Sequence, residues 1–478
     1  MPSFSGFLNR HKKEDSQSQG QPSAGSSSSQ LPGVPPHLDL HIQHPTPSST
    51  STKIKMAVLT SALIDALGFG NEFTKRFSVP FLDTMKAKTM FQGIPAGSWT
   101  DDTSMMLCLA TSIIESYPKM KHEGKDEVWG MNQADQLTKY WKWKEQGYMG
   151  SVPGKGCFDI GNQVRRAVSI WDEEQRTPDS PSPDASTKAL LRIKYELKED
   201  RNSGNGSLMR ILPVGLVYWR DVNQAKVAAK LSSETTHPNR MCVEVCQVWT
   251  CLIARVMQEM DDIAKEKLQT ESLGKRREAL SKLELLEVIS EFPFTNEKLR
   301  EVLTVPPSAQ EARTKATSPA DLEKWYLVHH PLLKLISSTQ SQTLPSHYPS
   351  TWTPPSQAQF PYIIPPTDQL SSSGYVLNTL LSALYCFFAT TTFEGGALMA
   401  INLCDDADTV GAIYAGLAAV WYGCEENDSN AGSFWTPKMK EWKKGAKSLN
   451  TVQYAADGLV KLDEEIGKAA AYWDRVNG

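Results

Sequence analysis

Apolar residues recur along this chain at helical rather than alternating intervals. Between Ile54 and Gly68 they form a face from Ala57, Val58, Ala62, Leu63, Ala66 and Leu67, with a single acid, Asp65, among them. That spacing predicts a helix, ended by Gly68 and Gly70, with Glu72 in the turn beyond. Apolar segments of the same kind run from Met105 to Ile114, Leu208 to Trp219, Ala225 to Leu231, Thr379 to Phe388 and Val410 to Trp421. A charged amphipathic helix is predicted from about Asn132 to Gln146. Val, Ile, Tyr and Phe nowhere gather into alternating strands with hairpin turns, so the fold class is all-α. Small residues in the Val410 segment (Gly411, Ala412, Ala415, Gly416, Ala418, Ala419) would let another helix approach closely.

Composition divides the chain unevenly. Residues 1–52 are rich in Ser, Gln and Pro, cannot repay the entropy of ordering, and are expected to be a disordered tail. A single domain is expected over 53–478, with a helical and Pro-rich elaboration at about 258–366. There, Glu259 to Leu299 reads as helix and Gln340 to Pro366 as irregular. Residues 172–188 read as a loop insertion. The chain is 40% hydrophobic, enough for a sizeable core, and its net charge of −4, with signs intermixed, leaves no nucleic-acid footprint.

No uninterrupted apolar stretch is expected to span a bilayer, because aspartates break the most hydrophobic region, Ala397 to Trp421. Eight cysteines without a C-x-x-C pair fit a reducing compartment. Cys242, Cys246 and Cys251 follow His237 at helical spacing among valines and leucines, which marks them as core thiols rather than metal ligands. With no apolar signal core near the N-terminus, a cytoplasmic or nuclear location is expected, and a monomer is the default.

Two acidic clusters change the picture. Thr100-Asp101-Asp102-Thr103 and Asp405-Asp406-Ala407-Asp408-Thr409 each stand at the mouth of an apolar segment. Read alone, either is a helix start, with Thr100 as N-cap and acids favouring the positive end of the dipole. Capping needs one side-chain oxygen, however, and these clusters carry five carboxylates. Carboxylates at the edge of a core demand positive charge, and oxygen-only donors favour magnesium, calcium or manganese. Converging clusters would suit a pair of cations about 3.5–4 Å apart. Helix N-termini, the glycines at 147, 150, 154, 156 and 161, and the Asn205-Gly206 turn offer backbone N–H groups for a phosphate. Together they describe metal-assisted cleavage of a phosphate-bearing substrate.

Several strings carry a resemblance. Ser98-Trp99-Thr100-Asp101-Asp102-Thr103, Asn205-Gly206-Ser207-Leu208-Met209-Arg210-Ile211-Leu212-Pro213, Thr236-His237-Pro238 and Asp406-Ala407-Asp408-Thr409 resemble the ADP-ribosylglycohydrolase family, which includes the dinitrogenase reductase-activating glycohydrolases. Asp65-Ala66-Leu67-Gly68 with Glu72, Phe158-Asp159-Ile160-Gly161 and Ser373-Gly374-Tyr375-Val376 fit as well, in the family's order, from about residue 54 to 424. The resemblance implies a compact all-α domain around two Mg2+ or Mn2+ ions, hydrolysing the bond between ADP-ribose and an acceptor on a protein or small conjugate. By position it implies Thr100, Asp101, Asp102, Asp406, Asp408 and Thr409 as metal ligands. Glu72 would be an acidic gate, and Asp101, Asp102 or Glu72 the proton shuttle. Gly147, Gly154, Gly156, Asn205 and Gly206 would border the nucleotide, with His237 a supporting or structural member of that substrate-side group.

The match departs in two places. Cys404 and Asp405 stand where relatives usually carry glycines, and Ile64 where a glycine often precedes the first-helix aspartate. Arginine, serine, poly(ADP-ribose) and smaller conjugates remain open as acceptors. A class I isoprenoid synthase is the rival enzyme, but it wants aspartates one helical turn apart, where Met105 and Met106 stand here. The rival outside catalysis is an ADP-ribose-binding or structural member of the same fold.

Overall fold

The computed structural model describes residues 38–123, 128–176, 183–269, 279–313, 316–341, 348–429 and 431–477. Its first half carries α1 (Thr50–Gly68), α2 (Asp101–His122), α3 (Gln133–Gln146), α4 (Asn162–Gln175) and α5 (Pro183–Glu196). The short α6 (Leu212–Val217), α7 (Val222–Glu234) and the long α8 (Arg240–Gln269) follow. The elaboration contributes α9 (Lys282–Ser290), α10 (Glu297–Leu303), α11 (Gln310–Arg313), α12 (Pro319–His329) and α13 (Pro331–Gln340). Then come α14 (Val376–Ala389), α15 (Phe393–Asn402), α16 (Ala407–Tyr422), α17 (Ala431–Phe434), α18 (Pro437–Gly445) and α19 (Leu449–Asn477). Among the described residues there is no strand, only two isolated bridges, Glu72 with Asp405 and Gly204 with Tyr375.

The expected tail is not uniform. Residues 1–37 lie outside the described part, but Leu38 and Leu40 are fully buried, and Ser49 caps α1 by accepting from Thr52 N. Order therefore begins before Lys53, because two leucines in a Pro- and His-rich stretch still reach the core. Residues 172–188 also differ from expectation: α4 runs through Gln175 and α5 starts at Pro183, with 177–182 outside the described residues. Val168, Ile170, Trp171, Ala189 and Ile193 pack the two helices into one apolar cluster, and Arg166 and Arg192 pair with Glu173, Glu174 and Glu196 on their surface. The apolar run at 208–219 is helical only over Leu212–Val217, since the backbone before it turns to serve the site. The 348–366 stretch is irregular, as its prolines predict.

One helix, Arg240–Glu266, is long and apolar enough to cross a membrane, contrary to the expectation for this chain, and 83% of its most apolar window is buried inside the protein. It is a core helix, packed by α6, α7 and α14. Cys242, Cys246 and Cys251 lie on it as buried free thiols.

At the centre α1 and α16 lie against each other. Ser61 Oγ donates to Ala412 O at 3.1 Å, and a Cβ on Gly411 would stand 2.9 Å from Ile64 Cγ2. The small residues of α16 thus allow the close approach that their sequence suggests. At the far end Lys53 of α1 is buried, its ammonium donating to Thr46 O, Trp421 O and Gly423 O at 2.6, 3.3 and 2.8 Å. It satisfies carbonyls left over at the C-terminus of α16.

Candidate active site

The polar end of the α1–α16 pair meets the start of α2. Asp65, fully buried on α1, accepts from Thr100 N, Thr100 Oγ1, Thr103 N and Thr103 Oγ1 at 3.0, 3.0, 3.0 and 2.6 Å. Thr100 is the N-cap residue but makes no side-chain cap bond; the acid of another helix does that instead. Thr100 Oγ1, between the two acids, also lies 3.0 Å from Asp102 Oδ2, to which Thr409 Oγ1 donates at 3.2 Å. The two sequence clusters are therefore joined through Asp102.

Gly68 makes the junction possible. A Cβ there would lie 2.6 Å from Asp408 Cα and 2.7 Å from Ala407 O, so only glycine lets α1 end against the first turn of α16. Cys404 and Asp405 both adopt left-handed backbone, φ 57° and 60°. Glycine is the residue that adopts such backbone without strain; this chain holds it with L-residues, by pairing Phe73 N with Asp405 O (2.6 Å) and Asp405 N with Thr74 O (2.9 Å). That pairing carries Glu72 to the acids.

Oxygens of Glu72, Asp159 and Asp408 all lie within 4.8 Å of one another. Asp159, in the Phe158-Asp159-Ile160-Gly161 string, was not expected in the site, and only tertiary structure brings it there. Asp406 receives Asn205 Nδ2 at 2.6 Å, and the same amide donates to Thr379 Oγ1 at 2.9 Å. The Asn205 turn is stitched to the α14 start by Asn205 N donating to Gly374 O and Val376 N to Ser203 O, both 3.0 Å.

The glycine-rich stretch folds back on the same place. Gly147 ends α3 at φ 68°, and a Cβ on it would meet Lys155 O at 2.2 Å. Gly147 and Gly156 line a narrow cleft with Thr100, Asp101 and Asp159, while Gly154 (φ 74°) stands in open space. His237 is buried beneath the turn: a Cβ on Gly206 would stand 2.8 Å from its Cε1, and Thr236 Oγ1 lies 2.7 Å from its Nδ1. Burial, with the nearby Arg210 charge, pushes His237 well below its usual range, so it is a neutral support for the Gly206 turn. Arg210 completes that support by donating to Gly206 O and Thr236 Oγ1 at 2.5 and 2.7 Å.

The electrostatics are those of acids waiting for a cation. Burial, then neighbouring carboxylates, lift Asp101, Asp102 and Asp408 well above the usual carboxylate range. Burial pushes Asp65 and Asp406 up to about 6. Glu72 is pushed up to about 9 by burial and then by Asp159, against the opposing pull of Lys88. Asp102 Oδ1 and Asp408 Oδ1 are buried without a hydrogen-bond partner. A crowd of buried oxygens with two unmatched carboxylate atoms fits a hard divalent cation by donor chemistry.

Comparison with known proteins accords with this geometry. Residues 46–427 match the family model for ADP-ribosylglycohydrolase. An ADP-ribosylarginine hydrolase, Tri1, of Pseudomonas putida (strain GB-1) is 25% identical over 424 residues, covering 88% of this chain and 82% of that protein. A second, from Serratia proteamaculans (strain 568), is 23% identical over 413 residues, covering 86% of this chain and 81% of that protein. A solved structure titled ADP-ribosylglycohydrolase-related protein complex aligns with a TM-score of 0.49 and 22% identity, covering 87% of this chain and 99% of that one. With its acids gathered at the helix N-termini and the family model matched across most of its length, the chain belongs to the ADP-ribosylglycohydrolase family, hydrolases that act on the glycosyl bond of ADP-ribose.

Proposed function

We propose that the chain is an ADP-ribosylarginine hydrolase working with two divalent cations, Mg2+ or Mn2+. The observation that carries the metal reading is the pair of buried, unpartnered oxygens, Asp102 Oδ1 and Asp408 Oδ1, among converging carboxylates. The arginine acceptor is supported by the two relatives of that printed name that align over most of this chain. Asp101, Asp102, Asp406, Asp408, Thr100 and Thr409 would hold the ions, with Glu72 and Asp159 bordering Asp408. Bound cations supply charge that aligns the ribose hydroxyls and eases deprotonation of the attacking water.

The chain's own groups do the rest. Asp65 fixes the start of α2, so Asp101 and Asp102 point into the site before substrate arrives. Asn205 orients Asp406 through one hydrogen bond. The Gly147–Gly156 loop, which lines the cleft beside Asp101, would border the pyrophosphate. Glu72 and Asp159, sharing a buried pocket of acids, carry the proton that the departing guanidine nitrogen needs.

The test is release of ADP-ribose from ADP-ribosylated arginine and serine peptides, with Mg2+ and with chelator. Metal-dependent release from the arginine peptide is the expected result. Release from serine alone would replace the acceptor, and ADP-ribose binding without release from either would make the chain a reader rather than a hydrolase.

A further inference from the structure

The loop between α1 and α2 contains a lysine in a confined place. Lys88 donates to the backbone oxygen of Glu72, and its ammonium lies 3.3 Å from Glu72 Oε2. Its side chain is only 10% exposed. The ammonium also stands over three aromatic rings: 4.7 Å from the Phe73 centroid, 5.5 Å from Phe69 and 5.9 Å from Phe91. A carboxylate with three π-faces around one cation is the chemistry of a cation receptor.

The cage is built onto the acid cluster. Phe91 and Phe69 pack on Phe158, with centroids 5.7 and 6.0 Å apart, and Phe158 precedes Asp159. Phe73 is 57% exposed and yet held at φ 54° by its backbone bond to Asp405. Left-handed backbone costs a bulky residue about 1–2 kcal/mol. An exposed ring gains little from burial to offset that, so core packing does not account for its position. Lys88 itself sits on a stretch, 69–100, that has no helix and so no helical hydrogen bonds to break when the side chain moves.

We propose that Phe69, Phe73, Phe91 and Glu72 form the subsite for the acceptor's guanidinium, and that Lys88 fills it until substrate arrives. This rests on the arginine reading above and deepens it: the planar, weakly hydrated guanidinium stacks on an aromatic face better than an ammonium does. Lys88 is then a tethered competitor, displaced by a guanidinium carried on ADP-ribose and retained against neutral acceptors. The arrangement selects cationic acceptors without any contact to the nucleotide half.

The test uses the full chain with Mg2+ and two separate probes: agmatine, a free guanidinium, and ADP-ribose, both titrated calorimetrically and as inhibitors. Phe73→Ala is expected to weaken agmatine binding and raise KM for the ADP-ribosylarginine peptide about fivefold. Phe73→Tyr restores both, while the ADP-ribose affinity does not move. Lys88→Met tightens agmatine binding severalfold, because the competitor is gone. The proposal is overturned if Phe73→Ala weakens ADP-ribose as much as agmatine, which would assign the ring to the nucleotide. It is equally overturned if Lys88→Met raises KM with agmatine affinity unchanged, which would make Lys88 a brace for Glu72. A wild-type protein inactive on arginine peptides would remove the function reading, and the agmatine titrations would still report on the cage.

Discussion

The N-termini of α2 and α16 both present acids and a threonine to one site, but they are held there in opposite ways. At α2, Asp65 takes two backbone N–H groups and two hydroxyls, so position comes from polar saturation. At α16, the N-cap residue Asp406 makes no side-chain cap bond of its own. Two left-handed residues, Cys404 and Asp405, and the missing Cβ of Gly68 give it its place. One half is therefore sensitive to loss of a polar atom and the other to added bulk. Chemistry needs both halves; stability needs each for its own reason.

The largest expected effect treats the halves alike. Asp101→Asn and Asp408→Asn each keep the shape and remove a charge, and kcat for ADP-ribose release should fall about 10²–10³-fold in either variant. The next two substitutions separate the halves. Asp65→Ala strands buried N–H groups at Thr100 and Thr103, and urea unfolding should show a loss of about 3 kcal/mol. Gly68→Ala drives a methyl into the α16 backbone and should cost about 2 kcal/mol while also weakening Mg2+ binding by calorimetry. Equal metal affinity in Gly68→Ala and wild type would contradict the role of close approach.

Titration sharpens the comparison less dramatically. The folded-state values of Asp65 and Asp406, about 6, and Glu72, about 9, lie above their ordinary values, so the folded chain holds more protons. The stability this gives is complete at pH below the ordinary carboxylate range and is lost as pH rises through those two values. Chelated protein should therefore melt lower at about pH 8 than at about pH 5, and saturating Mg2+ should remove most of that difference. The smallest effect is a gain. Asp405→Gly relieves left-handed strain and should raise stability by up to about 1 kcal/mol in the same unfolding assay.

Both acidic clusters were legible because each is local: an apolar helix begins, and its first turn carries more carboxylate than a cap requires. The departure at Cys404 and Asp405 was legible too, although only the φ angles show that the glycine conformation persists without glycine. Asp159 was legible only as a member of a family string; its place among the acids was not, since α1 and α16 are what bring Glu72 and Asp408 beside it. The same holds for Lys88, whose partners Phe69 and Phe91 lie on either side of it in sequence at separations no periodicity marks. Leu38 and Leu40 were hidden for another reason: averaging over 52 residues of serine and proline outweighs two leucines. Residues 172–188 misled because Pro and Ser at a break between helices resemble a long loop.

The buried ammonium of Lys53 gives the α1–α16 pair a property of measure. One end of α1 grips the last carbonyls of α16, and the other end, at Gly68, touches its first turn. Fifteen residues separate Lys53 from Gly68, roughly 22 Å at the helical rise. The two helices thus behave as a pair of rules clamped at both ends, and a slip of one residue would carry Asp408 about 1.5 Å from Asp102. Spacing between the acids is calibrated over the full length of the core, so insertion of a single residue into α1 would misalign the acids without altering any of them.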